Sequence, residues 1–422
     1  MARFRDLLLK NRNFSLFWLG QVVSNFGDRL TQMALIAFVY QIAPGSSLAL
    51  AKLTSFTVIP VLIIGPVAGV WVDRWNRKTV MVISDILRGF LVLLIPVFIF
   101  MNQILLVYLA VFLLYSVTRF FIPSRMAFIP ELVTRDKLLS ANSLANTTRM
   151  IGNAVGLVVA GFIVNIKFIG AVGGFYIDSF TFFFSAALIA MIVSKTAINR
   201  MRNNLMAAGS ALGHSIRKSV FAEIKEGIRY LAMNRDTRVV AGVFFLFMGW
   251  LGAVYCVLVV FIQEMFGSAT KDLAFFGMFL MTGLFLGTIL FGKFGQKLSK
   301  KKSSFWSFVA TGCMIMLFTV CVKNYPHRVA EFVLSFLLGL AASPVTVCVN
   351  TMVHEVVPDV AWGRVFSSLE AAGHLAFLAC MFSASLMSKF IDRGLILIAS
   401  GAVFAACGAA GIVLERRKSR IT

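Results

Sequence analysis

Four ionisable side chains stand inside stretches that are otherwise apolar: Asp28, Arg149, Glu370 and His374. A charge surrounded by hydrocarbon is costly, so such a group binds something, moves a proton or meets a partner. Counting about 1.5 Å of helical rise per residue, Asp28, Arg149 and His374 lie roughly 15–20 Å into their stretches, as does Asp178. Glu370 stands one helical turn before His374, on the same face and at a shallower depth. Low polarity favours the neutral form of both, so a carboxyl and an imidazole at this spacing could relay a proton. The competing reading is a satisfied polar contact between helices. For Asp28 the alternatives are a proton or substrate site and a structural ion pair with Arg29 or Arg149. Asp178 is expected to be a structural partner of Arg149 or Arg88. Asp85 and Arg88 share a face near one end of their stretch and read as gate or packing residues.

Other chemistries lack their residues. There is no glycine-rich phosphate loop with its lysine, no HExxH, no cluster of metal ligands and no convincing nucleophile–base arrangement. No metal, no cofactor and no catalysis are therefore expected. The six cysteines (Cys256, Cys313, Cys321, Cys348, Cys380, Cys407) all fall in apolar stretches without a CxxC pair and read as small packing residues.

The elements that must hold these groups follow from composition. Of 422 residues, 59% are hydrophobic and 14% charged, with a mean hydropathy of +0.87. Soluble proteins carry about 25% charged residues, so this chain could not cover the surface of soluble domains. It reads as an all-α, multi-span membrane protein. Twelve stretches are long enough to cross a bilayer: 14–41, 49–71, 79–101, 104–122, 140–164, 168–193, 238–263, 273–292, 304–322, 329–353, 365–388 and 394–414. With both termini cytoplasmic, the cytoplasmic side holds 30 of the 40 Lys and Arg in or beside its segments, and the opposite face six. That asymmetry fits the positive-inside rule and accounts for the net charge of +22 without nucleic acid. The first stretch has no small-residue cleavage site, so no removable targeting peptide is expected.

The longest polar segment divides the chain into six spans and six: 1–193, a linker at 194–237, and 238–422. Within the linker Ile216, Val220, Ile224, Ile228 and Leu231 recur at helical spacing, the pattern of an amphipathic helix on the membrane surface. The halves echo one another, as internal repeats do. Gly65 and Gly69 match Gly283 and Gly287, each pair four residues apart and followed by a basic loop. Glu131 before Ser143 and Leu144 parallels Glu355 before Ser368 and Leu369, which sets Arg149 opposite His374. Gly65, Gly152, Gly156, Gly283 and Gly287 are expected to let helices approach closely.

After the second span come Gly69, Asp73, Arg74, Asn76, Arg77 and Lys78, in the spacing G-x-x-x-D-R-x-N-R-K. This resembles the cytoplasmic signature of the major facilitator superfamily, with Asn76 in place of the usual second glycine, a residue that also tolerates left-handed turns. The resemblance implies that Gly69, Asp73, Arg74, Arg77 and Lys78 work with Asp85 and Arg88 as a conformational gate. Ser24 through Asp28, Pro130 through Val133, Ala141 through Leu144 and the Gly363–Val365 turn are similar to the drug:proton antiporter group, with its macrolide-efflux and enterobactin-exporter-like members. The proline usual in that group's fifth span is absent between Gly152 and Gly156. What the resemblance implies is a monomeric exporter in a bacterial inner membrane. It would be proton-coupled and move an amphipathic small molecule, with Asp28, Arg149, Glu370 and His374 at the substrate or proton site. Lysophospholipid transporters and ferroportins share the Gly-Asp of the first span, so lipid or divalent-metal transport is the alternative.

Overall fold

The computed structural model describes residues 7, 8, 10–72, 75–166, 169–193, 229, 235–295, 298–356 and 362–418. These residues form helices and connecting turns, with no strand among them. In chain order the helices are α1 (Arg12–Ile42), α2 (Ser47–Ile63), α3 (Gly65–Val72), α4 (Arg77–Phe100), α5 (Ile104–Leu132), α6 (Leu138–Asn165) and α7 (Gly170–Ala190). There follow α8 (Arg235–Phe266), α9 (Lys271–Phe294), α10 (Lys300–Asn324), α11 (Arg328–Val356), α12 (Trp362–Met387) and α13 (Arg393–Lys418). Ten helical segments are long and apolar enough to cross a membrane, and α2 is a shorter apolar helix. Adding α1, whose 31 residues include Gln21, Asn25, Asp28 and Arg29, and counting α2 and α3 as one span gives the expected twelve.

The second span is divided for a local reason. Ile64 N–H still donates to the Pro60 carbonyl and Ala68 N–H to the Ile64 carbonyl, at 2.9 and 2.8 Å. Pro66 has no N–H to offer the Leu62 carbonyl, and the helix breaks one turn into that gap. The fourth span differs in the other direction. Its apolar run ends near residue 122, yet α5 continues to Leu132 because Phe128, Ile129 and Leu132 carry the buried stripe on. Arg125 therefore lies on a helix and not in the loop expected from the sequence.

Contacts divide the chain into two compact units: Met1–Phe38 with Leu53–Val220, and Val39–Lys52 with Phe221–Thr422. The first is built round Phe14, Phe17, Met81, Phe121, Phe128 and Ile189, all buried. The second is built round Val243, Phe247, Phe308, Val345, Met352 and Phe404. In the second unit α9 packs on α11, α10 on α13 and α8 on α12. The expected linker at 194–237 and its amphipathic helix fall outside the described residues, apart from Arg229 and the start of α8.

Two turns of the second unit carry a glycine with positive φ: Gly45 between α1 and α2 at 72°, and Gly267 directly after α8 at 64°. Left-handed backbone of this kind suits glycine, which has no Cβ to clash.

Candidate functional site

The signature loop builds one end of the first unit. Asn76 is the N-cap of α4 at φ −69°, ψ 112°, and its side chain accepts from Thr79 N–H at 3.2 Å. The residue standing for the usual glycine thus caps a helix from extended backbone and makes no use of its tolerance for left-handed turns. Arg77, the first residue of α4, reaches Glu131 near the end of α5 at 2.5 Å. Lys78 donates to the carbonyls of Ala190 and Ile192 at 2.7 and 2.8 Å, placing a cation on the last turn of α7. Gly69 lies in α3; Asp73 and Arg74 fall outside the described residues.

The second unit repeats this bond. Lys300 opens α10 and pairs with Glu355 near the end of α11 at 2.6 Å. The sequence parallel between Glu131 and Glu355 is thus a parallel between two ion pairs, each joining the start of one helix to the end of the next.

Deeper in the first unit, charges from three helices converge. Asp85 and Arg88, one turn apart on α4, form a fully buried ion pair. The guanidinium is sandwiched between Phe121 of α5 and Phe182 of α7, 4.1 and 4.3 Å from their ring centres. Stacking against both aromatic faces compensates part of its desolvation. Asp178 of α7 is also fully buried and accepts from Thr31 and Thr181. Its partners are hydroxyls, so the ion pair expected with Arg149 or Arg88 is not formed. Of the two cations expected, Arg88 is already bound to Asp85 and Arg149 is exposed on α6.

Asp28 is half-buried on α1 and makes no ion pair with a described residue. The cations acting on it are Arg88, Arg29 and Arg125. Arg29 itself donates to Gln32 at 2.6 Å. Arg88 is bonded to Asp85 and is the foremost cation acting on Asp28, whereas on Asp178 it is the least of the influences. Arg88 stands eleven positions beyond Arg77, about 16 Å along α4 at 1.5 Å per residue. Gly27 makes the convergence possible: a Cβ there would collide with Thr181 and Asp178.

Arg149 is exposed on α6. That helix is held on α1 by the Trp18 indole N–H, which donates to Thr148 at 3.0 Å. Gly156 accommodates Arg29, whose Cγ would stand 3.0 Å from an added Cβ. Arg125 of α5 lies within electrostatic reach of both the exposed Arg149 and the half-buried Asp28. Sequence reading missed Arg125 because hydropathy falls off before the helix does.

Glu370 and His374 sit on α12, Glu370 exposed and His374 half-buried. His374 Nδ1 bonds the backbone carbonyl of Glu370 at 2.7 Å and not its carboxylate. One ring nitrogen is thus taken by its own helix, and the two side chains make no hydrogen bond with each other.

The packing glycines divide. A Cβ on Gly283 or Gly287 would run into Phe336, Leu340 and Ser343 of α11, as the expected close approach requires. Gly65 and Gly152 have nothing within 4 Å of that position, so neither makes the contact expected of it. Gly65 opens α3 just beyond the break, where no helix crosses at that range.

Known proteins resemble this chain over most of its length. An uncharacterized MFS-type transporter, YfiS, of Bacillus subtilis (strain 168) is 22% identical over 406 residues, 92% of this chain and 89% of the relative. Macrolide efflux protein A of Streptococcus pyogenes is 23% identical over 298 residues, 70% of this chain and 69% of its own. Among solved structures, an inward-facing bacterial homologue of the iron transporter ferroportin aligns with a TM-score of 0.72 at 14% identity, covering 95% of this chain and 98% of that one. A POT family transporter in complex with 5-aminolevulinic acid also gives 0.72, at 11% identity and 96% coverage of both chains. At such identities these structures speak for the fold. The sequence profile of the superfamily matches residues 17–322, and with the signature loop in place the chain belongs to the Major Facilitator Superfamily of membrane transporters.

Proposed function

We propose that this transporter exports an amphipathic small molecule in exchange for protons, by alternating access. The observation that carries the reading is the cluster in the first unit, where Asp85 bonds the buried Arg88, Asp178 accepts from Thr31 and Thr181, and Asp28 follows Gly27, which packs against Asp178. Asp85 is committed to that arginine and Asp178 to two hydroxyls, leaving Asp28 as the acid without an ion-pair partner. Binding a proton there removes a charge from a poorly solvated site and shifts the balance between conformations. Arg149, exposed near this cluster, is the group that would meet an anionic portion of the cargo. The 23% identity with a macrolide efflux protein over 70% of this chain supports efflux of a small molecule. Cytoplasmic termini and a bacterial inner membrane go with this reading, as the basic segments suggest.

Reconstituted in liposomes, the protein should move protons when a macrolide or another amphipathic cargo is added, and Asp28→Asn should abolish that flux while leaving cargo-for-cargo exchange. Cargo movement indifferent to a pH gradient refutes proton coupling. Lysophospholipid or divalent-metal flux, with drugs inert, establishes the alternative cargo class.

A further inference from the structure

The second unit carries a pair of buried acids on neighbouring helices, at the end opposite the Lys300–Glu355 bond. Asp272, one residue into α9, is fully buried and well supplied with donors. Its Oδ1 accepts from Arg328 Nε at 2.9 Å and its Oδ2 from Ser268 Oγ at 2.5 Å. Glu331, in the first turn of α11, is also fully buried, but neither of its carboxyl oxygens has a hydrogen-bond partner. The charged groups acting on it are Asp272 from α9 and Arg328 from its own helix. Lys323 at the end of α10 is engaged by Asp392 at 2.8 Å. Arg328 is itself 58% exposed and bound to Asp272, so it is no dedicated counterion for Glu331.

Two carboxyls and one arginine balance only if one acid is neutral. An ionised carboxylate without donors, beside a second carboxylate, is the costliest arrangement such a site could take. A protonated carboxyl removes both the lone charge and the repulsion. Asp272 has the cation and the hydroxyl, so the proton belongs on Glu331.

We infer that Glu331 is a proton-binding site of the second unit, charge-balanced by the Asp272–Arg328 pair and separate from the Asp28 cluster. The site holds its proton while α9 and α11 stay packed, and gives it up when water or a cation reaches the carboxyl. This inference does not depend on proton-coupled export, since an exporter driven by another gradient would still need Glu331 neutral in this conformation.

Infrared spectroscopy of the full-length protein in lipid vesicles at neutral pH tests it without any cargo. A carboxylic-acid carbonyl band is expected in the wild type, lost in Glu331→Gln, shifted in frequency in Glu331→Asp and retained in Asp28→Asn. Should Glu331→Gln fold poorly, the shift in Glu331→Asp alone decides. A spectrum unchanged in both Glu331 variants overturns the assignment. A Glu331 band that appears only after sodium is removed assigns the site to a metal cation and also overturns it. Loss of the band in Asp272→Asn, with Glu331→Asp unshifted, moves the proton to the other acid.

Discussion

Gly283 on α9 offers a quantitative test of how closely two helices approach. A Cβ added there would stand 2.9 Å from the Phe336 carbonyl carbon and 3.0 Å from the Leu340 nitrogen, and nearer still to the Phe336 oxygen. These are backbone atoms of α11, which cannot rotate aside, so α9 and α11 must separate. Gly339 opposes that separation, because it makes the reciprocal contact with Leu280 and Leu284 of α9. Overpacking of this kind costs about 1–3 kcal/mol. Replacing a mid-helix glycine by alanine returns at most about 1 kcal/mol through backbone entropy. Gly152 is the matched control, since nothing lies within 4 Å of its missing Cβ and only the entropic gain applies. Gly283→Ala should therefore be less stable than Gly152→Ala by roughly 2 kcal/mol, the overpacking cost alone, because the entropic gain is common to both variants and cancels. Thermal unfolding of both variants in the same detergent, followed by intrinsic fluorescence or by loss of monodispersity, reads the difference directly. If Gly283→Ala unfolds at or above the temperature of Gly152→Ala, the close approach of α9 and α11 is wrong.

The Asp85–Arg88 pair and the Asp392–Lys323 pair give contrasting expectations. Arg88→Leu leaves Asp85 buried without its cation and should cost about 3–5 kcal/mol, whereas Arg88→Leu combined with Asp85→Leu should recover much of it; equal loss in the single and double variants, measured by thermal unfolding, would contradict the pairing. Asp392, in the turn between α12 and α13, is held below the usual carboxylate range by the hydrogen bond from the Lys323 ammonium. A depressed value stabilises the fold at pH above the unfolded carboxylate pKa, and that contribution disappears as pH falls through the folded one. Asp392→Asn should then be slightly less stable than wild type at neutral pH and equal to it in strong acid, a convergence that unfolding curves across pH would display or deny.

Span positions and membrane class were legible because hydrophobic run length and the distribution of Lys and Arg carry that information directly. The signature loop was legible because its spacing puts Arg77 and Lys78 at a helix start. Convergence was not. Asp28, Asp85 and Asp178 lie in three different spans, and nothing in a single sequence says which faces of α1, α4 and α7 meet. Hydropathy also misplaced Arg125, since α5 outlasts its apolar run, and helical spacing alone suggested a Glu370–His374 contact that the His374 ring gives instead to a backbone carbonyl. Glycine pairs showed the same limit: Gly65 and Gly283 match in sequence, yet only Gly283 has a helix pressed against it.

The two matching ion pairs differ in chemistry and setting. Arg77 and Glu131 are mostly sheltered, with side chains 19% and 17% exposed, whereas Lys300 and Glu355 stand open at 34% and 50%. Dissolved ions screen open charges far more than sheltered ones. Rising ionic strength should therefore slacken the lysine clasp well before the arginine one. Two copies of one architectural plan would then answer the same saline environment unequally.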